Sequence, residues 1–134
     1  MIKLKKNTQY LLFFFAALIL IFIAVVNSKT ICDDLDGKRR DGVLFLKESK
    51  KPYTGKSLCI WDINNTVWYE GNYKDGLKEG LWTFYNIDST KKSEINYENG
   101  KMNGVRLIYN SNNQIMKRME CKENICKTVN QAID

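Results

Sequence analysis

Tyr73, Gly76 and Gly80 set up a Y-x-x-G-x-x-x-G pattern that Tyr97, Gly100 and Gly104 restate 24 residues later at the same internal spacing. No other feature constrains the fold as much, because a unit this short cannot bury an apolar face alone and must stack on copies of itself. Placing Gly55, Gly80 and Gly104 in register brings Trp61, Asn86 and Asn110 to one offset, with Ile60, Tyr85 and Tyr109 just before them. Tyr73, Tyr97 and Cys121 also align. Asn124 stands in the place of the repeat glycine, so the last unit is a degraded copy of the kind that closes a repeat array.

Spacings of 20 residues from Tyr53 to Tyr73 and 24 from Tyr73 to Tyr97 predict one β-hairpin per unit rather than a helix pair. Asp75-Gly76 and Asn99-Gly100 supply tight turns, whose backbone needs the positive φ that Asp, Asn and Gly accept. Gly80 and Gly104 are expected where a side chain would collide with the neighbouring hairpin or where the strand bends. In Leu81–Tyr85, LWTFY, alternation sends Leu81, Thr83 and Tyr85 to one face and Trp82 and Phe84 to the other. Aromatic residues on both faces allow a sheet one layer thick, supported by stacked rings instead of a second layer. The expected fold is all-β: an elongated antiparallel single-layer sheet of successive hairpins, preceded by an amino-terminal hydrophobic helix.

Residues 1–28 read as a signal peptide or an N-terminal membrane anchor. Lys3, Lys5 and Lys6 precede sixteen residues, Leu11 to Val26, without a polar group. That length falls between a signal peptide's core of about 7 to 15 residues and a membrane span of about 17 to 25. Cleavage after Ser28 is the preferred reading and a retained anchor the alternative; both place the rest of the chain outside the cytoplasm. Residues 29–41 are polar and read as a linker or irregular lead-in, with Gly37 to Arg40 as a turn signal. Asp33, Asp34 and Asp36 miss the calcium-loop spacing because Lys38 falls at the fifth position. The repeat domain is expected over 42–128 and a C-terminal tail over 129–134. Within the domain, Val43–Lys47 and Ser57–Asp62 are expected to pair as a first hairpin around Pro52 and Gly55. Asn64-Asn65 then turns the chain into a strand over Thr66–Tyr73.

The net charge of +6 falls to +3 after Ser28, where 18 Lys and Arg meet 15 Asp and Glu. That surplus is spread along the chain instead of clustering on one face, so no nucleic-acid partner is expected. Cys32, Cys59, Cys121 and Cys126 all lie in the exported part and are even in number, which in an oxidising compartment means two disulfides. Of the three pairings, Cys32–Cys59 with Cys121–Cys126 is preferred, because each pair is the closer one in sequence. Histidine is absent and no C-x-x-C pair occurs, so no zinc site is expected. With no histidine base and no serine in a G-x-S-x-G setting, no catalytic constellation can be named; neither enzymatic activity, cofactor nor small-molecule substrate is expected. Glu70, Glu94 and Glu98 stand near repeat tyrosines, where exposed strand positions are ordinarily charged. Trp61, Trp68 and Trp82 are expected first as core and second as a sugar- or partner-binding platform.

Pro52-Tyr53-Thr54-Gly55-Lys56, Tyr69 through Gly76, Glu79-Gly80-Leu81-Trp82, Lys92-Ser93-Glu94 and Tyr97 through Gly104 together resemble MORN-type repeats. More narrowly, they are similar to the variant found in bacterial proteins labelled YwqK-like antitoxins, over a span from Asp41 to Lys127. The resemblance implies a non-enzymatic sheet of hairpins used for contacts with proteins or, as is often proposed for MORN repeats, with phospholipid. An exported chain cannot readily neutralise a cytoplasmic toxin, so the antitoxin label implies a partner in the same exported compartment. The leading expectation is an exported scaffold or immunity-like module that binds another protein, with Trp82, Tyr85 and Tyr109 as contact residues. A peripheral phospholipid-binding module is the alternative.

Overall fold

The computed structural model describes residues 10–19 and 30–129. Residues 10–19 form an exposed helix, α1, and among the described residues no helix is long and apolar enough to cross a membrane. The cleavage point at Ser28, the apolar run beyond residue 19 and the tail over 130–134 lie outside the described residues. One helical turn, α2 (Asp33–Asp36), leads into β1 (Gly37–Arg40) and β2 (Val43–Leu46), a two-stranded antiparallel hairpin. Seven strands then follow in sequence order as one antiparallel sheet of successive hairpins: β3 (Gly55–Ile60), β4 (Val67–Lys74), β5 (Leu77–Tyr85), β6 (Lys91–Glu98), β7 (Lys101–Tyr109), β8 (Ile115–Lys122) and β9 (Ile125–Thr128).

The 24-residue period recurs in the backbone. Asp75-Gly76, Asn99-Gly100 and Glu123-Asn124 each put two consecutive residues at positive φ, 49° and 79°, 49° and 81°, 51° and 70°. This is the primed turn whose twist matches that of the strands it joins. Asn124 keeps that geometry without a glycine because its short polar side chain tolerates the left-handed region. Each turn is tied to the preceding hairpin: Gly76, Gly100 and Asn124 donate their N–H to the carbonyls of Tyr53, Lys78 and Met102 at 2.7, 2.9 and 3.1 Å. At Gly80 the expected collision gives way to the expected bend. Nothing lies within 4 Å of where its Cβ would sit, but φ is +69°, and residues 80–82 of β5 together face Gly71 alone. The ladder shifts the same way opposite Asn96, at Gly104, so these glycines mark a repeated bulge.

Two expectations for the amino-terminal part change. The segment expected to be a linker, 29–41, belongs to the fold over its described residues 30–41: Ile31 bridges the outer edge of β3, donating to Lys56 O at 3.1 Å and accepting from Leu58 N at 2.8 Å. Val43–Leu46 pairs with Gly37–Arg40, not with Ser57–Asp62. The turn is Asp41-Gly42, at φ 50° and 82°, the same dipeptide that turns the chain at 75–76. Gly37 is not a turn residue but a point of close packing, where a Cβ would lie 2.4 Å from Asp33 O and 2.5 Å from Leu44 Cδ1.

This amino-terminal unit covers one end of one sheet face, and the core lies beneath it: Ile31, Leu44, Tyr53, Cys59, Tyr69, Tyr73 and Trp82, with Trp68, Phe84 and Tyr97 packed alongside. The Trp82 ring stands edge-on to Tyr73 at 5.1 Å and lies 6.0 Å from Tyr69 and 6.2 Å from Tyr97. The rings meet edge-on or tilted rather than stacked, and over the first units the amino-terminal segment adds the second layer that the rings were expected to replace.

Candidate functional site

The residues nominated for contact divide between the two faces. Trp82 is fully buried and donates its indole N–H to Asn72 O at 3.1 Å. It lies flat over Gly71, where a Cβ would come within 2.2 Å of the ring. Trp82 is therefore core, as the first of its two readings expects, and its nomination as a contact residue is corrected, because the amino-terminal unit closes over the face that carries it. Tyr85 and Tyr109 emerge half-buried on the opposite face. The four cysteines form Cys32–Cys59 and Cys121–Cys126, with S–S distances of 2.00 and 2.04 Å. The first ties the amino-terminal unit to β3; the second links directly opposed residues of β8 and β9. The glycines Gly76 and Gly100 sit in the primed turns, while Gly55, Gly80 and Gly104 pair with Tyr73, Tyr97 and Cys121 on the following strand.

On the open face a Glu–Tyr pair repeats at the 24-residue period, and each glutamate takes a lysine from a different, non-equivalent position. Glu70 accepts from Lys56 Nζ at 2.8 Å and from Tyr85 Oη at 3.1 Å. Glu94 accepts from Lys91 Nζ at 2.6 Å and from the Tyr109 hydroxyl. The strand register explains the reach: Glu70 pairs with Thr83 and Glu94 with Leu107, so each tyrosine is two residues along the facing strand. The ammonium of Lys56, seconded by the Tyr85 hydroxyl, holds Glu70 below the usual carboxylate range against a smaller effect of burial. Burial pushes Glu94 upward, but hydrogen bonds from Lys91 and Tyr109 together outweigh it and lower it. Burial and then the Glu94 carboxylate push the Tyr109 phenol up to about 12. Both carboxylates therefore stay charged and both phenols stay neutral donors across the physiological range.

Two clusters escaped the sequence. Asp33 is buried, and its carboxylate accepts from Ser57 Oγ at 2.6 Å, Tyr73 Oη at 2.8 Å and Arg39 Nη2 at 3.0 Å. Burial alone would raise this acid; the hydrogen bonds and the guanidinium outweigh it and hold it low. The partners lie up to 40 residues away, so only their types, not their meeting, were visible. Lys78 lies 4.0 Å from the Trp82 ring centre and 5.2 Å from that of Tyr97, a cation–π site. Burial lowers its ammonium below the ordinary value. A groove of ≈760 Å³ opens beside the second disulfide, between Val105, Glu120 and Ile125, away from both triads.

Compared with known proteins, the chain matches no family model, no curated protein and no solved structure. The arrangement itself offers fixed charge and fixed hydrogen-bond donors on one side of a thin sheet.

Proposed function

We propose that this chain is an exported, non-enzymatic module of MORN type that holds another protein against the open face of its sheet, as a scaffold or an immunity-like partner. The observation that carries this reading is the pair of Lys–Glu–Tyr triads, Lys56/Glu70/Tyr85 and Lys91/Glu94/Tyr109. Leu58, Leu81 and Leu107 share their face, giving the mixture of aliphatic, aromatic and charged groups that protein contacts use. Because the triads already hold their own side chains, little rotamer freedom remains to be lost on binding. The two disulfides fit an oxidising compartment, in keeping with export by residues 1–28.

The test is cross-linking of the full chain in its native cell, followed by co-purification, for the natural chain and for a Leu81→Glu/Leu107→Glu variant. The expected outcome is one protein retained by the natural chain and bound at least about tenfold more weakly by the variant, with an unchanged melting temperature. Equal retention by the variant overturns the reading, as does an absence of protein partner with binding to anionic vesicles instead.

A further inference from the structure

Three equivalent loops join the strands at one end of the sheet, and the first two carry the same cap with different chemistry, whereas in the third Asn110 Oδ1 takes the loop N–H groups. Asn64-Asn65-Thr66, Asp88-Ser89-Thr90 and Asn112-Asn113-Gln114 recur every 24 residues, and the middle residue of each is left-handed, at φ 57°, 68° and 58°. In the first loop Thr66 reaches back to Asn64 Oδ1 through its N–H at 3.3 Å and its Oγ1 at 2.8 Å. In the second, Thr90 does the same to Asp88 Oδ1, through its N–H at 2.9 Å and its hydroxyl. A carboxylate thus accepts the threonine cap as a carboxamide does, so the cap itself does not demand Asn at 64.

What the carboxamide adds is an amide nitrogen in an Asn-x-Thr sequence, the only Asn-x-Ser/Thr in the chain. That is the acceptor pattern for sugar transfer in exported proteins. Asn64 and Asn65 are exposed and Ile63 is 85% exposed. One hydrogen of Asn64 Nδ2 goes to Ile87 O at 2.7 Å, leaving the second for exchange. Asp62, exposed two residues earlier, adds a carboxylate that a transferase with a cationic acceptor site can engage.

We propose that Asn64 is an N-glycosylation site, receiving an oligosaccharide from a polyprenyl-pyrophosphate carrier. In the transfer, Asn64 Nδ2 bonds to C1 of the reducing-end sugar as the C1–O bond to the carrier breaks. The lipid pyrophosphate leaves with that electron pair and one Nδ2 proton passes to the transferase's base; nothing is oxidised or reduced. This inference rests on the exported placement of the chain proposed above.

The experiment is glycopeptide mass spectrometry on the full chain recovered from the native cell, with free-thiol labelling of the same sample. The peptide containing Asn64 is expected to carry whole sugar residues, the increment being lost in Asn64→Asp and Thr66→Val and kept in Thr66→Ser. Asn64→Asp keeps the cap seen at Asp88 but loses the bond to Ile87 O and is expected to melt slightly lower, while Thr66→Ser is expected to melt close to the natural temperature. An unmodified Asn64 in a chain with both disulfides closed overturns the glycosylation site while leaving export standing. Free thiols in a cytoplasmic chain overturn both.

Discussion

Trp82 and Arg106 stand at equivalent positions in successive repeats, 24 residues apart, and meet opposite environments. Trp82 is sealed between Tyr69, Tyr73 and Tyr97 over Gly71. Arg106 pairs with Ile95, the counterpart of Gly71, on a stretch of the same face beyond the core cluster. The backbone around the two is the same, with the same primed turns and the same glycine bulge. Turns and bulges therefore define the unit, and cover defines what it carries. Under the amino-terminal segment a large ring fits only because the facing residue has no side chain; one unit on, a bulky facing residue goes with a long charged one.

The comparison breaks first at Trp82. Replacing it with alanine is expected to cost about 3 to 5 kcal/mol in denaturant unfolding, whereas Arg106→Ala costs less than about 1 kcal/mol. Equal losses would mean that cover does not concentrate stability. Gly71→Ala sharpens the point: a Cβ there meets the Trp82 ring at 2.2 Å, so a cost of about 1 to 3 kcal/mol is expected, largely relieved in a Trp82→Ala background.

Next come the disulfides, one at each end. Losing Cys32–Cys59 through a double Ser replacement is expected to cost about 2 to 4 kcal/mol, because it closes 27 residues and anchors the cover. Cys121–Cys126 closes only 5 and should lower the melting temperature less.

Asp33→Asn follows, at about 2 to 3 kcal/mol, less than for a fully buried pair because the Arg39 side chain is 48% exposed. The pH dependence has a fixed sign. Asp33 titrates below its ordinary value in the folded chain, so its contribution is complete above about pH 4 and is lost as the pH falls through the lowered value. Acid unfolding monitored by tryptophan fluorescence should lose this phase in the Asn variant.

The smallest effects belong to the open face. Tyr85→Phe and Tyr109→Phe should each cost less than about 1 kcal/mol, as for half-exposed hydrogen bonds. With the phenol of Tyr109 raised to about 12, its contribution is complete below about pH 10 and lost as the pH rises through 12. Ultraviolet difference titration should show one fewer high-pH tyrosine in Tyr109→Phe.

Legibility followed distance along the chain. The turns at Asp75-Gly76 and Asn99-Gly100, the bend at Gly80 and the alternation of Leu81–Tyr85 were readable because each depends on adjacent residues. Asp41-Gly42 carries the same signal, but the polar stretch before it reads as irregular, so pattern alone does not place β1 there. The candidate surface was half legible: Tyr85 and Tyr109 were named from the repeat, while their partners Glu70 and Glu94 passed as ordinary surface charge. Periodicity places residues on faces without saying which face is covered.

The sequence by itself determined the unit, a 24-residue hairpin with primed turns and a glycine bulge, because φ preferences are local and survive in any context. It also supplied the cysteine number. Only the tertiary structure decided that Trp82 is core and that the triads lie open, since this depends on residues 31–53 folding back over one end of the sheet. Asp33 meets Ser57 and Tyr73 there across 24 and 40 residues, and contacts of that range are written in no local pattern.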